Sequence, residues 1–158
     1  MNPQAKKEAL RLFTYGLYAI TCGDETRRNA FTANWVSQIS FEPPLIALSV
    51  ENTSTSLGII RETGRFAVNV FDATQRELAG RLGKGYVAHP DKLDGLTWDI
   101  GEEGCPVLRE TLGWVECAVE SETPAGDSTL LIARVVGAQV LRREEPLTML
   151  AAGFRHAG

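Results

Sequence analysis

The chain has 158 residues, enough for one domain with a sizeable core. Hydrophobic residues make up 44% and charged residues 23%, an ordinary globular composition. A net charge of −4 and a pI of about 5.2 argue against a broad nucleic-acid surface, and no stretch reaches the roughly 20 apolar residues of a membrane helix.

In chain order, Asn2 caps a helix opened by Pro3, with Ala9, Leu10 and Phe13 on one apolar face through about residue 13. This segment carries lysines but no apolar stretch ending in a small-residue cleavage site, so no signal peptide is expected. Residues 15–22 (YGLYAITC) read as a strand, followed by a turn at Gly23-Asp24 with Arg27-Arg28 near its end. Residues 30–39 and 44–51 read as the next two strands. Pro43-Pro44 falls between them, because consecutive prolines cannot donate ladder hydrogen bonds. Thr53 to Ser56 caps a short helix over 55–63, stopped by Gly64.

Residues 66–71 (FAVNVF) form a strong strand pattern. Thr74 and Glu77 have capping-box spacing and open a helix ending near Gly83. Residues 84–96 read as an exposed loop. Two long β-rich runs, 112–121 and 128–142, are joined by Pro124-Ala125-Gly126-Asp127. Strands interrupted by helices, rather than alternating with them, argue against a doubly wound parallel sheet. The fold expected is mainly β, a closed or split antiparallel barrel with short flanking helices. Its long strands leave an apolar face that a homodimer would cover.

Much chemistry lacks the residues it needs. Three cysteines with no CxxC pair suit free thiols in a reducing cytoplasm, and two histidines cannot make a three-histidine metal site. Gly83-Lys84-Gly85 superficially resembles a phosphate loop, but the required earlier glycine is Leu78 and the required Ser or Thr is Gly85. His89-Pro90-Asp91 reads as a solvated loop rather than an acid–base pair.

Residues 32–56 (TANWVSQISFEPPLIALSVENTSTS) are the most informative stretch. Small residues at Thr32 and Ala33 let a flat ring approach the backbone, Asn34 both donates and accepts, and Trp35 borders the ring. Glu51 to Ser56 offers hydroxyls and backbone N–H groups at a helix start, where anions bind. Taken singly, these are a helix cap and a core tryptophan.

The ordered series of motifs resembles the flavin reductase-like family of FMN-binding split barrels, over nearly the whole chain. Gly16-Leu17-Tyr18-Ala19-Ile20-Thr21 is similar to the family's opening strand. Thr32-Ala33-Asn34 with Ser40-Phe41-Glu42-Pro43-Pro44-Leu45 resembles its most specific motif. Gly64 to Val70, Asp91-Lys92-Leu93, Gly104 to Leu108 and Glu116-Cys117 match in order and spacing.

The resemblance implies a Greek-key split barrel, a homodimer, and hydride transfer from NADH or NADPH to FMN or FAD. It further implies reduced flavin passed to an oxygenase. It places Thr32, Ala33, Asn34 and Trp35 beside the isoalloxazine. Ser49, Val50, Glu51, Asn52, Ser54 and Ser56 then run along the ribityl chain and phosphate, and Lys92 contacts phosphate or nicotinamide. The tail, with Gly153-Phe154-Arg155, is similar to a family ending that packs late against the barrel.

Two departures stand out. Gly126-Asp127-Ser128 has serine where many members carry a histidine tied to nicotinamide binding, and Arg28-Asn29-Ala30-Phe31 lacks a common glycine. Ser128 keeps open a second reading, an electron-transfer flavoprotein that holds FMN and exchanges electrons with a redox protein partner. A third is a barrel that has lost flavin; the Thr-Ala-Asn motif and the hydroxyl cluster argue against it.

Overall fold

A computed structural model describes residues 1–85 and 88–156. Its elements run α1 Pro3–Leu10, β1 Tyr18–Gly23, β2 Arg28–Ala33, β3 Val36–Ser40, β4 Leu45–Glu51, α2 Thr55–Thr63 and β5 Arg65–Val70. Then come α3 Arg76–Leu82, β6 Trp98–Ile100, β7 Pro106–Leu108, β8 Gly113–Ala125, β9 Ser128–Val140 and α4 Met149–Ala152. The fold is mainly β and antiparallel, with a few short helices. Among the described residues no helix is long and apolar enough to cross a membrane.

Seven strands form one sheet in the order β2-β1-β5-β8-β9-β4-β3. The expected single strand over 30–39 is two strands, broken at Asn34-Trp35. The first half pairs with β1, matching Thr32 to Ala19, and the second pairs with β4, matching Val36 to Leu48. The two edge strands are therefore consecutive in the chain. A two-residue link spans at most roughly 10 Å, so the sheet curls until its edges meet at that end. No ladder joins β2 to β3 among the described residues, so the sheet is not closed.

Strand alternation sorts the packing. Phe66 and Val68 of β5 join a core with Ile20, Leu48, Leu131 and the α2 residues Leu57, Ile59 and Ile60. A nine-residue helix is marginal alone, and burying each of these side chains stabilises it by about 1.5–3 kcal/mol. Gly64 ends the helix at φ 71°, as expected. The opposite face of β5 carries Ala67 and Asn69. It is covered by a small sheet of β6 and β7, which the sequence reading missed.

Buried Asn69 fastens that cover. Its amide donates to the Ala19 carbonyl and the Thr21 hydroxyl, and its Oδ1 accepts the Leu108 N–H at 2.8 Å. Buried Glu116 accepts the N–H groups of Glu103 and Cys105, holding the loop that leads into β7. Gly101 and Gly137 leave room for it: a Cβ on Gly101 would stand 2.5 Å from the Glu116 carboxyl.

Three further expectations change. No residue of α1 is buried, so its apolar face is uncovered in this chain, and Leu12 and Phe13 are exposed. The Thr74–Glu77 capping box does not form. Thr74 bonds Asp72 instead, and Gln75 precedes α3 with no side-chain cap. The loop over 84–96 includes residues 86 and 87, which lie outside the described ones. Its other half is not exposed throughout, because Lys92 and Leu93 are buried.

Asp72 ties β5 to the chain's last segment. Burial raises its carboxyl, but bonds from the Thr74 hydroxyl and N–H and from Arg142 at 2.8 Å outweigh that and hold it below its ordinary range. A depressed folded pKa contributes stability above the unfolded value and loses it as pH falls through the folded one. Asp72→Asn should therefore lower unfolding free energy by about 1–3 kcal/mol at neutral pH. The deficit should shrink below about pH 4. Urea denaturation at pH 7 and pH 3 measures both.

Candidate flavin pocket

The break at Asn34-Trp35 opens a cavity of about 680 Å³, within the usual range for a small-molecule site. Thr32, Ala33, Asn34 and Trp35 line it from the end of β2 and the link to β3, not from mid-strand as expected. Ser49, Val50 and Glu51 line it from the end of β4, and Thr53, Ser54 and Thr55 from the start of α2. The far wall is Ala79, Gly80 and Gly83–Gly85 with Lys92 and the tail residues Phe154, Arg155 and His156.

Individual side chains have distinct duties. The Thr32 hydroxyl donates to the Ala79 carbonyl, so it fixes α3 against β2 and can only accept from a ligand. The Asn34 side-chain amide nitrogen is buried with no hydrogen-bond partner among the described residues. An unpaired buried donor costs about 1–3 kcal/mol, which a bound acceptor would recover. Trp35 stands 37% exposed at the rim, with the His156 ring edge-on at 5.0 Å. The Trp35 carbonyl accepts the Ser49 N–H at 3.1 Å, which joins the break to β4.

At the start of α2 the Ser54 hydroxyl makes no capping bond, and of the first-turn N–H groups Leu57 donates to the Ser54 carbonyl, which leaves those of Thr55 and Ser56 for a ligand. Asn52 and Ser56 do not line the cavity. Asn52 binds the β8–β9 turn, with its Oδ1 accepting from Thr129 at 2.8 Å. Ser56 is fully buried, and its Oγ accepts the Asn29 amide at 2.8 Å. Lys92 lines the cavity, but its Nζ donates to the Leu82 carbonyl at 2.9 Å, capping the end of α3. Burial holds that ammonium below its ordinary pKa. Ser128 is buried against Asp127 and does not reach the cavity.

Lining residues not named singly from the sequence include Thr53, Thr55, Lys84 and His156. The first two belong to the Asn-Thr-Ser-Thr-Ser run, where any hydroxyl is an equal candidate. Lys84 sat in a failed phosphate-loop match. His156 lies over 100 residues from Trp35 in sequence, and no local pattern announces such a contact.

The pocket fits a ring with a polar edge and a phosphate tail. β2 pairs with β1 alone, so its other edge offers free backbone donors and acceptors beside the Asn34 amide. The Flavin reductase like domain model matches residues 10–158. The chain belongs to the flavin reductase-like family.

Within that family it is 31% identical over 147 residues to the reductase subunit HsaB of a Rhodococcus jostii flavin-dependent monooxygenase, covering 93% of this chain and 74% of HsaB. It is 29% identical over 135 residues to a probable flavin reductase of Rhizobium meliloti, covering 85% of this chain and 42% of that protein. The chain thus spans less than half the length of that relative. The Streptomyces globisporus NADH:FAD oxidoreductase SgcE6, solved with NAD and FAD fragments, superposes with TM-score 0.84 at 25% identity, covering 100% of this chain and 96% of that one.

The cysteines take no part in this site. Burial pushes Cys22 up to about 11 and Cys105 and Cys117 to about 12, and the Glu116 carboxylate adds to the last two. A thiol with such a pKa is almost wholly protonated at neutral pH and is a poor nucleophile. All three are free. A chromogenic disulfide reagent at pH 7 should label none of them in the native flavin reductase-like chain within minutes, and all of them after denaturation.

Proposed function

We propose that this chain is an NAD(P)H-dependent flavin reductase, with residues 1–158 acting as one flavin-binding domain. The observation that carries it is the Asn34 amide, a buried donor without a partner, beside the free edge of β2. A bound FMN or FAD supplies the chemistry, accepting a hydride from the reduced nicotinamide. The protein's share is binding, orientation and exclusion of water. Thr32, Ala33 and Asn34 present backbone and amide groups to the ring's pyrimidine edge, and Trp35 borders it. Ser49, Val50 and Glu51 follow the ribityl chain. Thr53, Ser54 and Thr55 receive the phosphate at the positive end of α2. No side-chain acid or base is required, which suits a cavity whose only lining carboxylate among the described residues is Glu51.

The curled sheet with adjacent, unjoined edges supports a split barrel. A homodimer is supported by α1, which buries nothing in one chain, and by Leu12, Phe13, Phe41 and Leu150, all more than 60% exposed. Three free thiols suit a reducing cytoplasm. The likeness to a monooxygenase reductase subunit supports an oxygenase as recipient of reduced flavin. The alternative, an electron-transfer flavoprotein that does not use NAD(P)H, rests on Ser128, which brings no titratable group to the site.

Two measurements test this. NADH or NADPH oxidation should proceed with catalytic protein and added FMN or FAD; bound flavin with no turnover would favour the electron-transfer alternative. Asn34→Leu should weaken flavin affinity about five- to tenfold while leaving the flavin-free protein no less stable, since it removes an unsatisfied donor. Unchanged affinity would remove Asn34 from the ring's edge.

A further inference from the structure

The tail after α4 runs from one wall of the cavity to the opposite rim, and its two ends are held in different ways. The near end is fastened. The Met149 N–H donates to the Tyr15 carbonyl at 2.9 Å, and the Arg76 side chain of α3 donates to the Ala152 carbonyl. The same guanidinium lies 5.3 Å from the centre of the Phe154 ring. That ring packs on α3: a Cβ on Gly80 would stand 3.5 Å from it, an ordinary contact. The far end is loose by comparison. Beyond Phe154 no backbone hydrogen bond forms among the described residues. The His156 ring instead meets Trp35 edge-on, with centroids 5.0 Å apart. Trp35 belongs to the β2–β3 link, so the tail bridges α3 and that link across the cavity they line.

The tail is also a partition. Met149, Phe154, Arg155 and His156 line this cavity on one side and a second cavity of about 820 Å³ on the other. The far wall of the second cavity is the segment between α1 and β1, including Leu12 and Phe13. Arg155 and His156 therefore have room to swing away from Trp35 without disturbing the core. An edge-on aromatic pair shifts an equilibrium by only about two- to tenfold. A contact of that strength favours closure and still lets the end of the tail open often.

We propose that His156 is a latch on Trp35, and that a flavin enters and leaves the cavity only when this contact parts. The proposal rests on the flavin-reductase reading and deepens it. The latch sets how fast the flavin exchanges, and so whether the chain keeps it through many turnovers or passes it on. Both rings belong to the protein, so the contact favours closure whether or not a flavin is bound. Closure then slows entry and release by the same factor and leaves the affinity unchanged. A residue that touches the flavin behaves otherwise: its loss speeds release and weakens affinity.

The test follows FMN and FAD association and dissociation by stopped-flow flavin fluorescence in the full chain, in H156A and in H156F. In H156A both rate constants should rise together, by about two- to tenfold, with Kd constant to within about 1.5-fold. H156F keeps an aromatic edge on Trp35 and should return both rates to within about 1.5-fold of the parent's. Faster release with unchanged association makes His156 a flavin contact and overturns the latch. Unchanged rates in H156A overturn it too, as does exchange in H156F as fast as in H156A. A parent chain that binds neither FMN nor FAD sinks the flavin reading alone. The latch is then read without flavin: acrylamide should quench tryptophan emission more strongly in H156A than in the parent or H156F, and equal quenching overturns it.

Discussion

Residues 28–40 form one extended run that has to serve both edges of a single sheet. It pairs with β1 until Ala33, turns away at Asn34-Trp35, and pairs with β4 from Val36. At the handover no neighbouring strand supplies a full ladder. Backbone and side-chain groups are left free there, and they are the groups a polar-edged ring requires. The cavity is thus a consequence of topology. The run that carries both edges of the sheet is shared between two partners, and the cavity opens at the gap between them.

The sheet around that gap is fastened by buried polar groups. β5 is buried on both faces, which is why FAVNVF reads as a continuous apolar run with one polar interruption. The interruption is Asn69, whose three bonds fasten β7 across β1 and β5. Glu116 does the same for the loop before β7, with both carboxylate oxygens accepting backbone N–H groups. Buried polar groups satisfied on every side specify one arrangement of the layers, whereas apolar contacts alone tolerate sliding. The helices then need only local anchors: Ser56 to Asn29 for α2, and Thr32 to Ala79 for α3.

Local signals carried the parts of this fold that local chemistry determines. The α2 span, its glycine stop and the β5 strand are signalled by neighbours in sequence, although α2 is held by the core it packs into. The run over 30–39 looked like one strand because both of its halves are strands; nothing within it reveals that they pair with different partners. The Thr74–Glu77 spacing suggested a cap, yet Asp72 competes for the Thr74 hydroxyl and wins through its ion pair with Arg142. In the pocket, the Thr-Ala-Asn-Trp run and the hydroxyl cluster were legible by type. Which hydroxyls face the cavity was not, because Ser54 and Ser56 differ only by their position around the first turn of α2 and by the neighbour that claims Ser56. Lys92 shows the same limit. It is near the cavity, but α3 takes its charge.

The distribution of charge follows from the same geometry. A net-negative chain repels anionic nucleotides at long range, so a cavity that admits them needs local positive potential. The start of α2 supplies part of it through the N–H groups of Thr55 and Ser56, which cost no side-chain entropy to order. The end of α3 has the opposite polarity and would push a phosphate away. Lys92 offsets that end by donating directly to the Leu82 carbonyl. One buried lysine therefore brings positive charge to that wall of the cavity, although its ammonium is committed to the protein.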